Sequence, residues 1–184
     1  MSLATGEENL VEQEFEAVAL ELLTEVTKEL FETYEHAVER VDTSDAEAAG
    51  KDLTLGAAIG FTGEYVRGVL VIALDEEMAR CLNPVSKTNP HTDYDWIGEL
   101  ANQLLGRLKN KLLSYSIEVA LSTPVVVHGS QLSIGTLQRT STRLCFRHQN
   151  LFANVWWDAE VDPALEMSTE NAPDVQAEGE MVLF

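Results

Sequence analysis

The strongest constraint on this chain lies in its first forty residues. Val11, Phe15, Val18, Leu22, Val26, Leu30, Tyr34 and Val38 recur at steps of three or four, the spacing that lines one face of an α-helix. The pattern predicts one long helix, roughly Glu7 to Arg40. Acidic residues crowd its early turns, where the helix dipole favours negative charge. A stripe of that kind packs on a sheet or a partner helix, the alternative being a protein-binding surface.

The next apolar runs are short and extended in character. Leu53–Phe61 and Val66–Leu74, joined around Thr62-Gly63-Glu64, read as a β-hairpin after a polar loop from Val41 to Gly50. Asp75 is placed to cap a short helix through Cys81, which Pro84 ends, and Asn83 to Thr92 reads as loop. A second long helix is expected from about Tyr94 to Ser114, with Asp93 as its N-cap. Runs near Ile117–Leu121, Val125–Val127, Arg139–Phe146 and Leu151–Trp157 read as strands, and His148-Gln149-Asn150 turns the last pair. The adjacent Trp156 and Trp157 then point to opposite faces of one strand. From about Asp158 the chain becomes acidic and rich in breakers. This reading divides it into a domain over 1–160 and a loosely held acidic tail over 161–184, which ends in Met181-Val182-Leu183-Phe184.

Charge narrows the partners. The 184 residues carry 12 Lys and Arg against 31 Asp and Glu, a net −19, while 45% of residues are hydrophobic, enough to build a core. Residues 1–52 hold −12 and 151–184 hold −8, whereas 53–92 and 93–150 are near neutral at −1 and +2. Nucleic acid and anionic membrane surfaces are disfavoured, since both are met with Lys and Arg. No apolar run approaches the roughly 20 residues needed to span a bilayer. The acidic start MSLATGEENL lacks the pattern of a secretory signal, and Cys81 and Cys145 are too few for a disulfide framework. A cytoplasmic protein with two reduced thiols is expected.

The segment Asp95–Leu113 carries the chemistry. At 100° per residue, Ile97, Leu100, Ala101, Leu104, Leu105, Leu108 and Leu112 share one arc. Asp95, Glu99, Asn102 and Gly106 follow steps of four, three and four and form a row on the opposite side, with Gln103 and Asn110 beside it. A carboxylate here can pair with a cation, and a carboxamide one turn on can orient a water. Gly106 has no side chain to block a close approach, at a helix cost of roughly 1 kcal/mol. A solvated polar face with a packing glycine is the plainer reading of the same residues.

Here GELAN, with the Pro of STPVVVHG, resembles the signature of the CheC/CheX family of chemotaxis phosphatases: Asp or Ser, three residues, Glu, two residues, Asn, and later a Pro. Asp95, Glu99 and Asn102 fit it, and 21 residues separate Asn102 from Pro124, about one short of the usual gap. Gly60, Thr62, Gly63 and Gly68 in GFTGEYVRGVLVIALDEEMA match the family's hairpin landmarks. The likeness covers about Leu10 to Trp157, and the single copy of the row looks like CheX rather than the two-site CheC. It implies an α+β, CheC-like fold, long helices packed on a mixed sheet of about six strands, and often a homodimer. It also implies hydrolysis of the phosphoaspartate of a response regulator such as CheY. Glu99 would pair with the regulator's lysine and Asn102 would place the attacking water. Asp95, Gln103, Gly106 and Pro124 would border the partner. No cofactor or metal is implied for this chain; the Mg²⁺ belongs to the regulator.

Other constellations carry less. His36, His91, His128 and His148 show no His-x-x-x-His spacing and no cysteine partner of a metal site. No G-x-S-x-G elbow surrounds Ser130, and the glycines form neither a P-loop nor a dinucleotide fingerprint. The rival function is a non-catalytic module that binds a response regulator or scaffold, motivated by the acidic tail and its apolar end.

Overall fold

The computed structural model describes residues 5–41, 53–83, 92–130, 132 and 142–168. Helix α1 (Thr5–Thr33) leads to a short strand β1 (Glu39–Val41). The hairpin β2 (Leu53–Gly63) and β3 (Val66–Asp75) follows, then α2 (Glu76–Leu82) and α3 (Thr92–Leu113). The chain closes with β4 (Val119–Leu121), β5 (Val125–His128), β6 (Thr142–His148) and β7 (Leu151–Val161). The expected loops over 42–50 and 84–91, the start of the sixth strand at 139–141, and tail residues 169–184 lie outside the described residues.

The strands form one sheet in the order β1-β6-β7-β3-β2-β4, with β5 also paired to β2. Strand β2 is long enough to hold two partners on one edge: β4 pairs with Phe61–Gly63 and β5 with Leu55–Ala58. The class is α+β with helices on a sheet, as the resemblance implied. Every strand pairing among the described residues is antiparallel, however, which corrects the mixed sheet expected earlier.

One sheet face carries the main core. Alternate residues Leu55, Ala57, Ile59 and Phe61 of β2, Leu70, Ile72 and Leu74 of β3, and Ala153, Val155 and Trp157 of β7 meet the helices there. The Trp157 ring stacks on Phe61 at 4.5 Å and touches Phe15 of α1. Trp156 faces the other way, beside Val71 and Ala73, with the Arg143 guanidinium over its ring. Strand alternation therefore separates the two tryptophans as expected.

Several boundaries differ from the sequence reading. Helix α1 ends at Thr33, not Arg40: Glu35 takes φ 64°, and the His36 and Glu35 amides donate to the Phe31 and Glu32 carbonyls. This is a Schellman ending, which satisfies the last carbonyls and turns the chain into β1. Asp93 is not the cap of α3; it lies inside the first turn, buried, and accepts a 2.7 Å hydrogen bond from Asn83 Nδ2. Strand β7 continues past Asp158 to Val161, because β3 supplies pairing partners as far as Val66. Beyond it, Leu165 is buried and the Ser168 amide donates to the Tyr115 carbonyl. Asp75 does cap α2, one oxygen accepting from the Met78 amide and the other from the Phe152 amide. Among the described residues no helix is long and apolar enough to cross a membrane.

Candidate functional site

Helix α3 is a rod seated on the sheet. Ile97, Leu100, Ala101, Leu104, Leu105, Leu108 and Leu112 are all fully buried, the whole arc that periodicity picked out. Six of these are Leu or Ile, each contributing roughly 1.5–3 kcal/mol on burial, and with Ala101 they fix the rotation of the rod about its own axis. Whatever stands on the opposite side is therefore held at a set height and angle above the sheet.

Two neighbours flank the rod and define what stays open. On one flank the end of α1 comes close. Tyr34 packs edge-on against Trp96, with ring centroids 5.0 Å apart, and its hydroxyl donates to Gln103 Oε1 at 2.7 Å. Arg107 donates to the Thr33 hydroxyl, and Lys111 reaches Glu25 and Glu29 at 3.0 and 3.1 Å. The Lys111 ammonium is thereby held above its ordinary range, first by the hydrogen bond to Glu25 and then by Glu29, with burial opposing. On the other flank, β5 and the turn before it press on Gly98: a Cβ there would stand 3.3 Å from Val126 Cγ2 and 3.7 Å from Pro124 Cγ. A side chain at 98 would require Val126 to give way by a few tenths of an ångström.

Between these flanks runs the row of Asp95, Glu99, Asn102 and Gly106. Asp95 and Glu99 are exposed, and Asn102 and Gly106 are half-exposed. Glu99 Oε1 accepts from Gln103 Nε2 at 2.9 Å. No hydrogen bond to another described residue engages the Asn102 carboxamide. Apart from the backbone of its own helix, a Cβ on Gly106 would meet nothing within 4 Å among the described residues, so the glycine serves no packing contact with any of them. The structure thus brings all six residues singled out in the sequence to one strip: four on the row, Gln103 beside it on the α1 flank, and Pro124 on the β5 flank. An acid and an unengaged amide, one turn apart on an immobile rod, can respectively bind a cation and orient a small polar molecule.

Sequence reasoning missed three contributors. In the sequence Tyr34 is one more member of an apolar stripe, and nothing local marks Trp96 or Gly98. Only the hydroxyl of Tyr34, unusual on a buried face, signalled a second role. The histidines also behave differently from the linear spacing: His36 Nδ1 and His148 Nε2 lie 3.4 Å apart, away from α3, with their other ring nitrogens on the Cys81 and Ala37 carbonyls. Among the described residues no three His, Cys, Asp or Glu converge as a metal site. Among the described residues neither Cys81 nor Cys145 is joined in a disulfide.

A family model described as chemotaxis phosphatase CheX matches residues 55–147, half of the chain. Among solved structures, the chain is similar to the chemotaxis protein CheX of Vibrio vulnificus, at 21% identity and a TM-score of 0.62 over 77% of this chain and 93% of that one. It is similar to a CheC-like superfamily protein from Shewanella sp. PV-4 at 18% identity and 0.63, over 77% and 97%. A chain of a CheX–CheY–BeF3–Mg²⁺ complex from Borrelia burgdorferi aligns at 12% and 0.56, again over 77% and 97%. At these identities the likeness to solved structures is one of fold. No curated protein matches this chain.

Proposed function

The chain belongs to the CheX chemotaxis phosphatase family, and from that premise we propose that it hydrolyses the phosphoaspartate of a CheY-like response regulator in the cytoplasm. Water forms a bond to phosphorus as the bond from phosphorus to the aspartyl oxygen breaks, giving free aspartate and inorganic phosphate, with the water's proton passing to phosphate or solvent. Asn102 positions that water and Glu99 pairs with the regulator's lysine. The Mg²⁺ is the regulator's own. Neither side chain acts as a strong base, because attack on an acyl phosphate is limited by alignment and by neutralisation of charge on the phosphoryl oxygens.

The observation that carries this reading is the unengaged Asn102 carboxamide, one turn from an exposed acid, on a helix whose opposite face is fully buried. A mobile side chain on a loop would lose the advantage of alignment, whereas this one starts from a fixed Cα. The Borrelia complex, which contains a CheX and a CheY, supports the class of partner. We also assign the chain to a homodimer; support comes from β5, which pairs only with β2 among the described residues and whose Val125 and Val127 are 64% and 46% exposed.

The test uses the phosphorylated regulator. Phosphate decay should quicken on adding the protein, and Asn102→Ala should remove roughly 100-fold or more of the acceleration while leaving binding within a few-fold. Glu99→Ala should mainly weaken binding. Decay no faster than that of the regulator alone overturns the enzymatic reading, and intact binding in that case identifies a non-catalytic module instead.

A further inference from the structure

Glu99 is exposed and flexible by nature, yet docking needs its carboxylate in one place. A free glutamate samples many rotamers, and freezing one on binding opposes association. The structure supplies a brace. Gln103, one turn along, donates Nε2–H to Glu99 Oε1 at 2.9 Å. Gln103 alone is a poor brace, because its amide can present either end.

Tyr34 removes that freedom. Its hydroxyl donates to Gln103 Oε1 at 2.7 Å, so the oxygen end faces tyrosine and the NH₂ end faces the acid. The reverse orientation would set the amide oxygen against the carboxylate, two acceptors with no proton between them. Tyr34 is itself fixed by its edge-on contact with Trp96 and by the turn at Glu35, φ 64°, that follows α1. Two helices separated in sequence by the hairpin thus converge on one carboxylate. No hydrogen bond from another described residue takes Glu99 Oε2, which is left for the partner's cation.

We propose that Tyr34 is a positioning residue for docking: through Gln103 it sets the Glu99 carboxylate in the orientation that receives the regulator's lysine. This rests on the docking role given to Glu99 above. The brace ends on the acid and does not touch Asn102, so its loss should appear in binding and KM and leave the chemical step alone.

Tyr34→Phe keeps the ring on Trp96 and deletes only the hydroxyl. With the full-length protein, binding to the beryllofluoride-activated regulator and steady-state hydrolysis of the phosphorylated one are measured for the wild type, Tyr34→Phe, Gln103→Leu and the double variant. A cooperative thermal melt is required of each. The expected result is a roughly three- to tenfold rise in Kd and KM for Tyr34→Phe, in line with one hydrogen bond to a polar relay, with kcat within twofold. The double variant should bind no more weakly than Gln103→Leu alone, since both changes cut one relay. Wild-type Kd and KM in Tyr34→Phe, or a fall confined to kcat, overturns the proposal while the Asn102 result keeps the phosphatase reading. A wild type that neither binds nor hydrolyses overturns both.

Discussion

Gly106 separates stability from function more sharply than any other position on α3. Inside a helix, glycine is about 0.8–1 kcal/mol less favourable than alanine. Outside the backbone of its own helix, a Cβ built at Gly106 meets nothing within 4 Å among the described residues, so no described neighbour requires the missing side chain. Gly106→Ala is therefore expected to stabilise by about 1 kcal/mol, which for a chain of 184 residues raises Tm by roughly 2–4 °C. Gly106→Phe enters the same open space, recovers part of the helix propensity and does not lower Tm. Its ring, however, stands one turn beyond Asn102, on the strip assigned to the regulator. Forcing such a group into a close interface costs about 1–3 kcal/mol, which lowers kcat/KM by roughly 5- to 150-fold. Melting curves and phosphate decay on the same two variants decide the matter. A Gly106→Ala protein that melts at or below the wild-type temperature refutes the stability argument, because it requires a contact or backbone strain at Gly106. A Gly106→Phe protein with wild-type kcat/KM refutes the assignment of this strip to docking.

How much of this was legible in the sequence depends on how local each cause is. The buried arc of α3 and the row opposite it follow from 3.6-residue periodicity alone, and both stand where the pattern put them. The hairpin, the Asp75 cap and the split of the two tryptophans are likewise local. Helix ends were harder to place. Both α1 and α3 close with a non-glycine residue in the left-handed region, Glu35 at φ 64° and Ser116 at φ 63°. The amides of His36 and Ile117 each complete the ending with a 3.1 Å bond to a carbonyl five residues back. That conformation costs about 1–2 kcal/mol for residues other than glycine and is held by packing of the following strand, so no glycine or proline marks the stop. The flanks of the site were illegible for a related reason. Tyr34 meets Gln103 across 69 positions, and Gly98 meets Pro124 only because β5 folds back on α3. Spacing along a helix predicts which residues share a face, but not which distant element will leave that face open.

Two further measurements test the frame that holds the rod. Gly68→Ala is expected to destabilise by about 3 kcal/mol or more, because its Cβ would stand 2.1 Å from the Asp158 carbonyl and 2.6 Å from Phe61 Cζ. A denaturant midpoint unchanged from wild type would mean that β3 and β7 are further apart than this pairing requires. Lys111→Met tests the α1 flank. The ammonium bridges Glu25 and Glu29 with side chains 35%, 50% and 39% exposed, so its loss should cost only about 0.5–1 kcal/mol. Folding raises the lysine's pKa above its ordinary 10.5. The folded state therefore binds this proton more tightly than the unfolded chain. The contribution is present in full below about pH 10.5 and is lost as pH climbs through the folded value. The gap in unfolding free energy between wild type and variant should stay constant from about pH 7 to 10 and close only at higher pH. A gap that has already closed by about pH 9 would show that the two glutamates do not hold the ammonium, and that α1 is kept against α3 by its apolar seam alone.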